Sequence, residues 1–153
     1  MIKTTQILFQ LLLMLAIAGI TLNSCEKQRW DRWDGDWDSM KWEDESGLTI
    51  VDNVYQVPAS GGSYKFHCKN YRAFWISSIE EDGQIFMPNI DNNDWTDLSG
   101  QWTHVQCLPD GDLVVTFEPL SFYSSASDRT MNLCVTAGDI FNHFRFMQKN
   151  NAN

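Results

Sequence analysis

The stretch RTMNLCVTAGDIFNHFRFMQ, residues 129–148, decides the fold class. Its first half places Met131, Leu133 and Val135 at alternate positions, which is the side-chain period of a β-strand that buries one face. AGD has the small residues of a hairpin turn, and IFNHFRFMQ predicts the last strand. The stretch therefore predicts a closing β-hairpin.

Earlier stretches show the same alternation of apolar and polar residues. The inward positions are Tyr64, Phe66 and Cys68 in SYKFHCKNY, and Leu113, Val115 and Phe117 in DLVVTFEP. LTIVDNVYQV and AFWISSI add β-branched and aromatic runs, and the sequence contains no convincing amphipathic helix. Many short strands with turns between them predict an all-β protein, a single Ig-like antiparallel β-sandwich over residues 47–149.

Turn residues divide these strands. In PASGG the proline fixes φ, and Gly61 and Gly62 permit the positive φ of a tight turn, so we predict a structural role for both glycines. Residues 84–111 have turn residues throughout and predict a long loop that carries Trp95 and Trp102. Long loops in compact domains tend to be functional, so this loop is the first candidate for a binding site.

The N-terminal residues resemble a bacterial lipoprotein signal. Lys3 precedes an apolar run from Ile7 to Ile20, which suits a secretory signal and is short for a membrane span. The run ends in LNSC, which places Cys25 where such signals carry their lipid-accepting cysteine. We therefore predict a signal peptide over residues 1–24 and an outer-membrane lipoprotein of the cell envelope, held at the membrane by lipid on Cys25 alone.

An acidic, tryptophan-rich segment over residues 25–46 separates this cysteine from the predicted sandwich. RWDRWDGDWDSMKWEDE holds four of the seven tryptophans and lacks aliphatic residues apart from a methionine, so it predicts a tether. We expect Trp37 and Trp42 to dock onto the sandwich as structural residues, and Trp30 and Trp33 to be available to a partner. Residues 150–153 form a short polar tail.

The acids of the tether match a calcium-binding loop only in part. The residues at ligand positions of the EF-hand template are Asp34, Asp36, Asp38 and Glu45. Ser39 stands where the template needs glycine for its sharp turn, and no helix flanks the loop. We therefore expect a solvated acidic stretch, no metal site and no cofactor.

Composition and motifs exclude several classes of function. The chain has a formal net charge of −9, and removal of residues 1–24, which contain Lys3, would make it −10. Such a charge disfavours nucleic acid and anionic membrane surfaces as partners. His67, His104 and His143 belong to no recognisable catalytic motif, and the sequence has no nucleophile elbow, zinc-binding helix or phosphate-binding loop. We therefore expect a protein that is not an enzyme.

Three cysteines remain besides Cys25, and the sequence leaves their oxidation state open. Cys68, Cys107 and Cys134 lack CxxC spacing, so zinc binding is not expected. Export permits one disulfide among them, and buried free thiols are the alternative.

Aromatic residues of the 84–111 loop are the candidate ligand contacts. Tryptophan has a large apolar face with a polar edge, and a sugar ring presents carbon-bound hydrogens that can stack on that face. The candidate set combines aromatic and carboxylate side chains: Trp95, Trp102, Phe86, Asp94 and Asp97. The alternative is that both tryptophans cap the open end of the sandwich.

Several of these features, in this order, resemble BACON domains, the Bacteroidetes-associated β-sandwich domains named for suspected carbohydrate binding. The shared features are VPASGGSYKFHC, Trp75 in AFWIS, and Arg129 in a closing hairpin that ends in FMQ at Gln148. WDSMKW resembles a segment that precedes the domain in lipoproteins of this group. The sequence departs from the pattern in EPLSFYSSASDR and in the length of residues 84–111, so no binding residue carries over from the resemblance.

The resemblance implies a structural position for Trp75. Near the centre of a seven-strand arrangement, one large aromatic side chain can bridge two sheets about 10 Å apart. Taken together, the sequence predicts a non-enzymatic envelope lipoprotein that binds carbohydrate weakly through residues 84–111. The alternative is a structural or protein-interaction module of an envelope complex, which would use the tryptophan-rich arm.

Overall fold

The computed structural model describes residues 38–89, 91, 94–120 and 128–150. Eleven β-strands occur in these residues: β1 (Trp42–Asp44), β2 (Thr49–Val51), β3 (Val54–Val57), β4 (Gly62–Cys68), β5 (Trp75–Glu81), β6 (Gln84–Phe86), β7 (Asp97–Ser99), β8 (Thr103–Leu108), β9 (Asp112–Phe117), β10 (Arg129–Ala137) and β11 (Ile140–Gln148). A 3-10 turn at Pro109–Gly111 joins β8 to β9.

The strands form two sheets. A five-stranded sheet has the order β1-β4-β9-β8-β7, and a six-stranded sheet has the order β2-β3-β11-β10-β5-β6. The predicted all-β sandwich is therefore confirmed. One pairing differs from the antiparallel arrangement that we predicted, because β3 runs parallel to β11.

The closing hairpin has the predicted form. β10 and β11 pair in continuous register from Arg129 opposite Gln148 to Ala137 opposite Ile140, and the turn between them contains Gly138 at a φ of +65°. Glycine adopts this positive φ with little strain, and the tight turn that results lets the two long strands pair directly. This hairpin forms the centre of the six-stranded sheet.

The alternating residues of both sheets pack into one core. Those with no solvent exposure include Phe66, Leu113, Val115, Met131, Leu133 and Val135. Aromatic rings from opposite sheets meet there, with the centroids of Phe117 and Phe146 5.2 Å apart. Burial of such side chains contributes roughly 1.5–3 kcal/mol each, so this core is the main source of stability.

The position predicted for Trp75 is wrong, because its side chain points away from the core and is 42% exposed. Cys134 of β10 pairs with Ser78, but the next residue, Val135, pairs with Ile76, which leaves Ser77 as the extra residue of a β-bulge. The bulge inverts the alternation of inward and outward side chains. Ile76 therefore takes the inward position that regular alternation would give to Trp75.

The prediction of one long loop over residues 84–111 is also wrong, because that segment contains β6, β7 and β8. Turn-forming residues dominate its composition, but Thr103 and Val105 alternate inward in β8 and are buried. Only residues 87–96 connect β6 to β7, so the candidate binding loop is much shorter than the sequence suggested.

A buried carboxylate joins the two sheets. Glu81, at the end of β5, is 3% exposed. Its Oε2 accepts a hydrogen bond from the amide of Gln101 at 2.7 Å, and its Oε1 accepts bonds from the amide and hydroxyl of Thr103 at 2.9 and 2.5 Å. These donors satisfy a charged group that would otherwise be costly to bury.

The sandwich begins earlier than residue 47, within the segment assigned to the tether. β1 pairs with β4, with Trp42 opposite Cys68. The predicted docking of Trp42 is confirmed, since its ring packs edge-on against Phe74 and Phe144 with centroid distances of 5.2 and 4.9 Å. Met40, just before it, is 7% exposed. The predictions for Cys25, Trp30, Trp33 and Trp37 lie outside the described residues.

The structural role predicted for Gly61 and Gly62 is confirmed. The amide of Gly61 donates to the carbonyl of Pro58 at 3.0 Å, and the two glycines have φ values of +67° and +137°. A side chain at Gly61 would also collide with the backbone carbonyl of Phe117. The turn therefore needs glycine both for its dihedral angles and for its close approach to β9.

The described cysteines form no disulfide, and two acids of the candidate calcium loop form ion pairs. Cys68, Cys107 and Cys134 are free thiols, and burial raises the pKa of Cys107 to about 12. Asp38 forms an ion pair with Lys41 at 2.7 Å, and Glu45 forms one with Lys65 at 3.3 Å.

The described ranges lack two other kinds of feature. These residues contain no cluster of three histidine, cysteine or acidic side chains that could hold a metal ion. In the same part of the chain, no helix has the length and apolar character needed to cross a membrane.

Candidate ligand-binding cleft

An open cleft of about 450 Å³ lies beside the outer face of the six-stranded sheet. Among the described residues, two tryptophans and two threonines line it: Trp75, Trp95, Thr96 and Thr136. Trp75 and Thr136 lie directly opposite each other on β5 and β10, whereas Trp95 and Thr96 come from the segment before β7. Sheet and loop therefore supply one indole and one hydroxyl each.

Backbone hydrogen bonds fix the loop side of the cleft. The carbonyl of Trp95 accepts from the amide of Ile76 at 2.7 Å, and the carbonyl of Thr96 accepts from the amide of Cys107 at 2.7 Å. Because Ile76 belongs to one sheet and Cys107 to the other, the segment is held at both of its sides. The half-buried Trp95 ring thus has a rigid backbone beneath it.

Both threonine hydroxyl groups in the cleft donate their protons to acceptors within the protein. Thr96 Oγ1 donates to the carboxylate of Asp94 at 3.0 Å, and the amide of Thr96 donates to the same oxygen at 3.1 Å. Thr136 Oγ1 donates to the carbonyl of Gly138 at 2.5 Å. Each hydroxyl oxygen keeps lone pairs for a ligand, so both can act as acceptors there.

Two of the five predicted ligand contacts lie at this cleft. Trp95 lines it, and Asp94 orients one of its hydroxyls. Trp75, which we predicted to be in the core, is the second aromatic wall. Of the two tryptophans predicted as ligand contacts, Trp95 thus lines the cleft, and its aromatic neighbour there is Trp75 instead of Trp102.

Trp102 is not a ligand contact, because it is 7% exposed and belongs to the core. Its ring lies against Phe117 at a centroid distance of 6.0 Å. The ring also lies against the guanidinium of Arg129, which donates from Nη2 to the carbonyl of Glu118 at 3.0 Å and to Gln148 Oε1 at 2.7 Å. Trp102 is therefore enclosed at the end of the sandwich, as the capping alternative expected of both tryptophans, whereas Trp95 lines the cleft.

Phe86 and Asp97 also lie away from the cleft lining. Phe86 is half-buried on β6 and packs against the core. Asp97 on β7 accepts from His104 Nε2 and from Gln106 Nε2, both at 2.8 Å. The bond from His104, followed by that from Gln106, lowers the pKa of Asp97, so this carboxylate is engaged within its own sheet.

The sequence analysis did not identify Trp75, Thr96 and Thr136 as lining residues. The alternation of residues in the sequence could have identified Thr136. Thr136 alternates out of phase with the inward residues Met131, Leu133 and Val135, which already placed it on the outer face. No comparable signal existed for Trp75, since its direction depends on the bulge at Ser77.

The fold has a relative of known structure. No family model and no curated protein matches the sequence. An NMR structure of a protein from Bacteroides thetaiotaomicron is similar, with 33% sequence identity and a TM-score of 0.61. The match covers 78% of this chain and 94% of that chain. Identity at this level over nearly the whole of the other protein shows common descent, and the chain belongs to the same family as that Bacteroides thetaiotaomicron protein.

Proposed function

We propose that the protein binds carbohydrate without catalysing a reaction, and that a sugar ring occupies the cleft between Trp75 and Trp95. The observation that carries this proposal is the composition of the cleft lining, which contains two indoles and two hydroxyls. A sugar ring has the matching chemistry, because its apolar faces can stack on indole while its rim carries hydroxyl groups.

The size and rigidity of the cleft support this proposal. Its volume of about 450 Å³ lies within the range of roughly 300–1,000 Å³ that is usual for small-molecule sites. The hydrogen bonds from Ile76 and Cys107 to the Trp95–Thr96 backbone preorganise one wall, so little order has to be gained when a ligand binds.

The same lining supports a binding role over an enzymatic one. The side chains of its described residues are indole and hydroxyl groups, which are weak acids and bases near neutral pH. Glycoside hydrolysis ordinarily uses a pair of carboxyl groups that flank the scissile bond. Asp94 is the carboxylate at the edge of this cleft, and its oxygen already accepts two hydrogen bonds from Thr96.

We further propose that the protein is an envelope lipoprotein anchored through Cys25. The apolar run and the LNSC sequence support lipidation, and the family member from a Bacteroides species agrees with the resemblance to Bacteroidetes lipoproteins. Metabolic labelling with a fatty-acid probe tests this. The native precursor should be labelled and sediment with membranes, and Cys25→Ala should abolish both properties. Labelling that persists in Cys25→Ala would contradict lipidation at this residue.

A glycan array tests the binding function. The full-length protein, kept in a sugar-free zwitterionic detergent, should bind at least one class of glycan, and Trp75→Ala and Trp95→Ala should each weaken that binding. Ile50→Ala on β2 is the control, since it also truncates an exposed apolar side chain. Absence of binding across plant, host and microbial glycans would contradict the proposal. If deletion of residues 26–37 instead removed a captured envelope protein, the interaction-module alternative would be favoured.

A further inference from the structure

We propose that the cleft is one end of a longer binding site for an uncharged, extended oligosaccharide. The remainder of the site is a row of three outward side chains, Trp75, Thr136 and Phe141, which we name the outer row. This inference rests on the proposed function, because it specifies the ligand of the same cleft.

Strand register places the outer row in a straight line across three strands. Trp75 lies opposite Thr136, and Thr136 lies opposite Phe141. Residues directly opposite each other in antiparallel strands project from the same face of the sheet. The chain neighbours Ile76 and Val135 are fully buried, so the row itself faces outward.

The two aromatic members of the row are both accessible. Trp75 is 42% exposed and Phe141 is 57% exposed. They lie two strands apart, which corresponds to roughly 10 Å between their backbones. That separation is about the length of a disaccharide unit in an extended glycan. A chain that stacks one ring on Trp75 can therefore stack a later ring on Phe141.

The threonine hydroxyl groups along the cleft and the outer row favour a ligand that carries hydrogen-bond donors. Thr136 Oγ1, between the two aromatic residues, and Thr96 Oγ1, in the cleft, both direct their protons to protein acceptors. Sugar hydroxyls can donate to the remaining lone pairs. A carboxylate or sulfate offers only acceptors, so it would face these oxygens without a proton to share.

Charge on the molecule favours the same class of ligand. The chain carries a formal net charge of −9, which repels acidic polysaccharides at a distance. On the outer face, Glu80 and Arg145 flank Asn132 on either side and have opposite charges. They therefore give this face little net attraction for an anion. Uncharged glycan is the ligand that agrees with both the hydroxyl geometry and the charge.

Titration calorimetry with glycans of two lengths tests the outer row. The probes are disaccharides and hexasaccharides of uncharged glucans, mannans and xylans, together with hexasaccharides of galacturonic acid, added to the full-length protein in the same detergent. We expect an uncharged hexasaccharide to bind at least roughly tenfold more tightly than its disaccharide, and Phe141→Ala to remove this gain while disaccharide binding is unchanged. Trp75→Ala should weaken both probes, and Ile85→Ala, an exposed residue on β6, should change neither.

The possible failures of this experiment are distinguishable. If Phe141→Ala leaves the length-dependent gain intact, the outer row is not part of the site, although the cleft can still bind sugar. If galacturonic acid oligomers bind as tightly as uncharged ones, the selection for uncharged ligands is wrong. If the protein without substitutions binds no probe and no glycan on the array, the proposed function itself is wrong. Unchanged melting temperatures for the variants would show that the losses are not due to unfolding.

Discussion

The guanidinium of Arg129 lies over the indole ring of Trp102, with its carbon Cζ 4.4 Å from the ring centroid. Both residues are tied to the last strand, because Arg129 Nη2 also donates to Gln148 Oε1 at 2.7 Å. Gln148 Nε2 in turn donates to the carbonyl of Glu118 at 2.9 Å. This contact closes one end of the sandwich, and it assigns to Trp102 the structural role that we expected for Trp75.

Trp102→Ala should therefore destabilise the fold much more than Trp75→Ala. Loss of the buried Trp102 ring should lower the free energy of unfolding by about 3–5 kcal/mol, because it leaves a cavity and an unstacked guanidinium. Trp75→Ala should lower it by less than about 1 kcal/mol, since much of this ring is already in solvent. Urea denaturation measures both values. Equal losses in the two variants would show that the bulge at Ser77 does not turn Trp75 outward.

Glu81→Gln should destabilise the fold although it preserves side-chain size. The amide group would place N–H donors against the backbone donors of Gln101 or Thr103, which leaves at least one buried donor without an acceptor. We expect a loss of about 1–3 kcal/mol in the free energy of unfolding. Glu80→Gln, on the outward side of the same strand, is the matched control and should change it by less than about 0.5 kcal/mol. A control that costs as much as Glu81→Gln would refute a specific role for the buried carboxylate.

Gly61→Ala should cost more stability than Gly47→Ala. Both glycines have a positive φ, +67° and +68°, so alanine carries a similar dihedral cost of about 1 kcal/mol at each site. A Cβ at Gly61 would also overlap the carbonyl of Phe117, whereas a Cβ at Gly47 would meet no atom within 4 Å. The difference between the two melting temperatures isolates this steric contribution. Equal melting temperatures would mean that the turn moves freely away from β9.

Cys107 should resist alkylation in the folded protein. Burial raises the pKa of its thiol to about 12, so at pH 8 almost all of it is protonated, and the thiolate is the reactive form. The thiolate fraction grows only as the pH approaches that value, and unfolding returns the pKa to its ordinary range. Iodoacetamide treatment at pH 8 followed by mass spectrometry should label Cys107 slowly in the native state and rapidly in urea. Comparable native and denatured rates would contradict its burial.

The regular part of the fold was predictable because its signal is local. Alternation alone identified the inward residues of β4, β9 and β10, and the turn at Gly138 identified the hairpin. The inward face of such strands follows from the two-residue period, whichever strands later become neighbours.

The candidate site was harder to predict because it depends on irregular structure. AFWIS presents two adjacent aromatic residues, and periodicity cannot decide which one faces inward when a bulge can follow. Phe74 is the buried one, at 3% exposure. Similarly, Trp95 and Trp102 both occur in turn-rich sequence, and the second of them lies against Phe117 and Arg129, which come from later parts of the chain. Contacts between distant segments, which a single sequence does not reveal, therefore decided the direction of these tryptophans.

The parallel pairing of β3 with β11 has a consequence for how the protein is made. Gln148 Nε2 donates to the carbonyl of Pro58, 90 positions earlier in the chain, at 3.3 Å. A ribosome must therefore synthesise the chain as far as β11 before the six-stranded sheet can close. We expect chains truncated before Phe144 to be degraded rapidly by protease while the complete chain resists, and equal resistance would contradict this dependence. The apolar faces of β10 and β5 therefore lack part of their sheet until β11 has been synthesised.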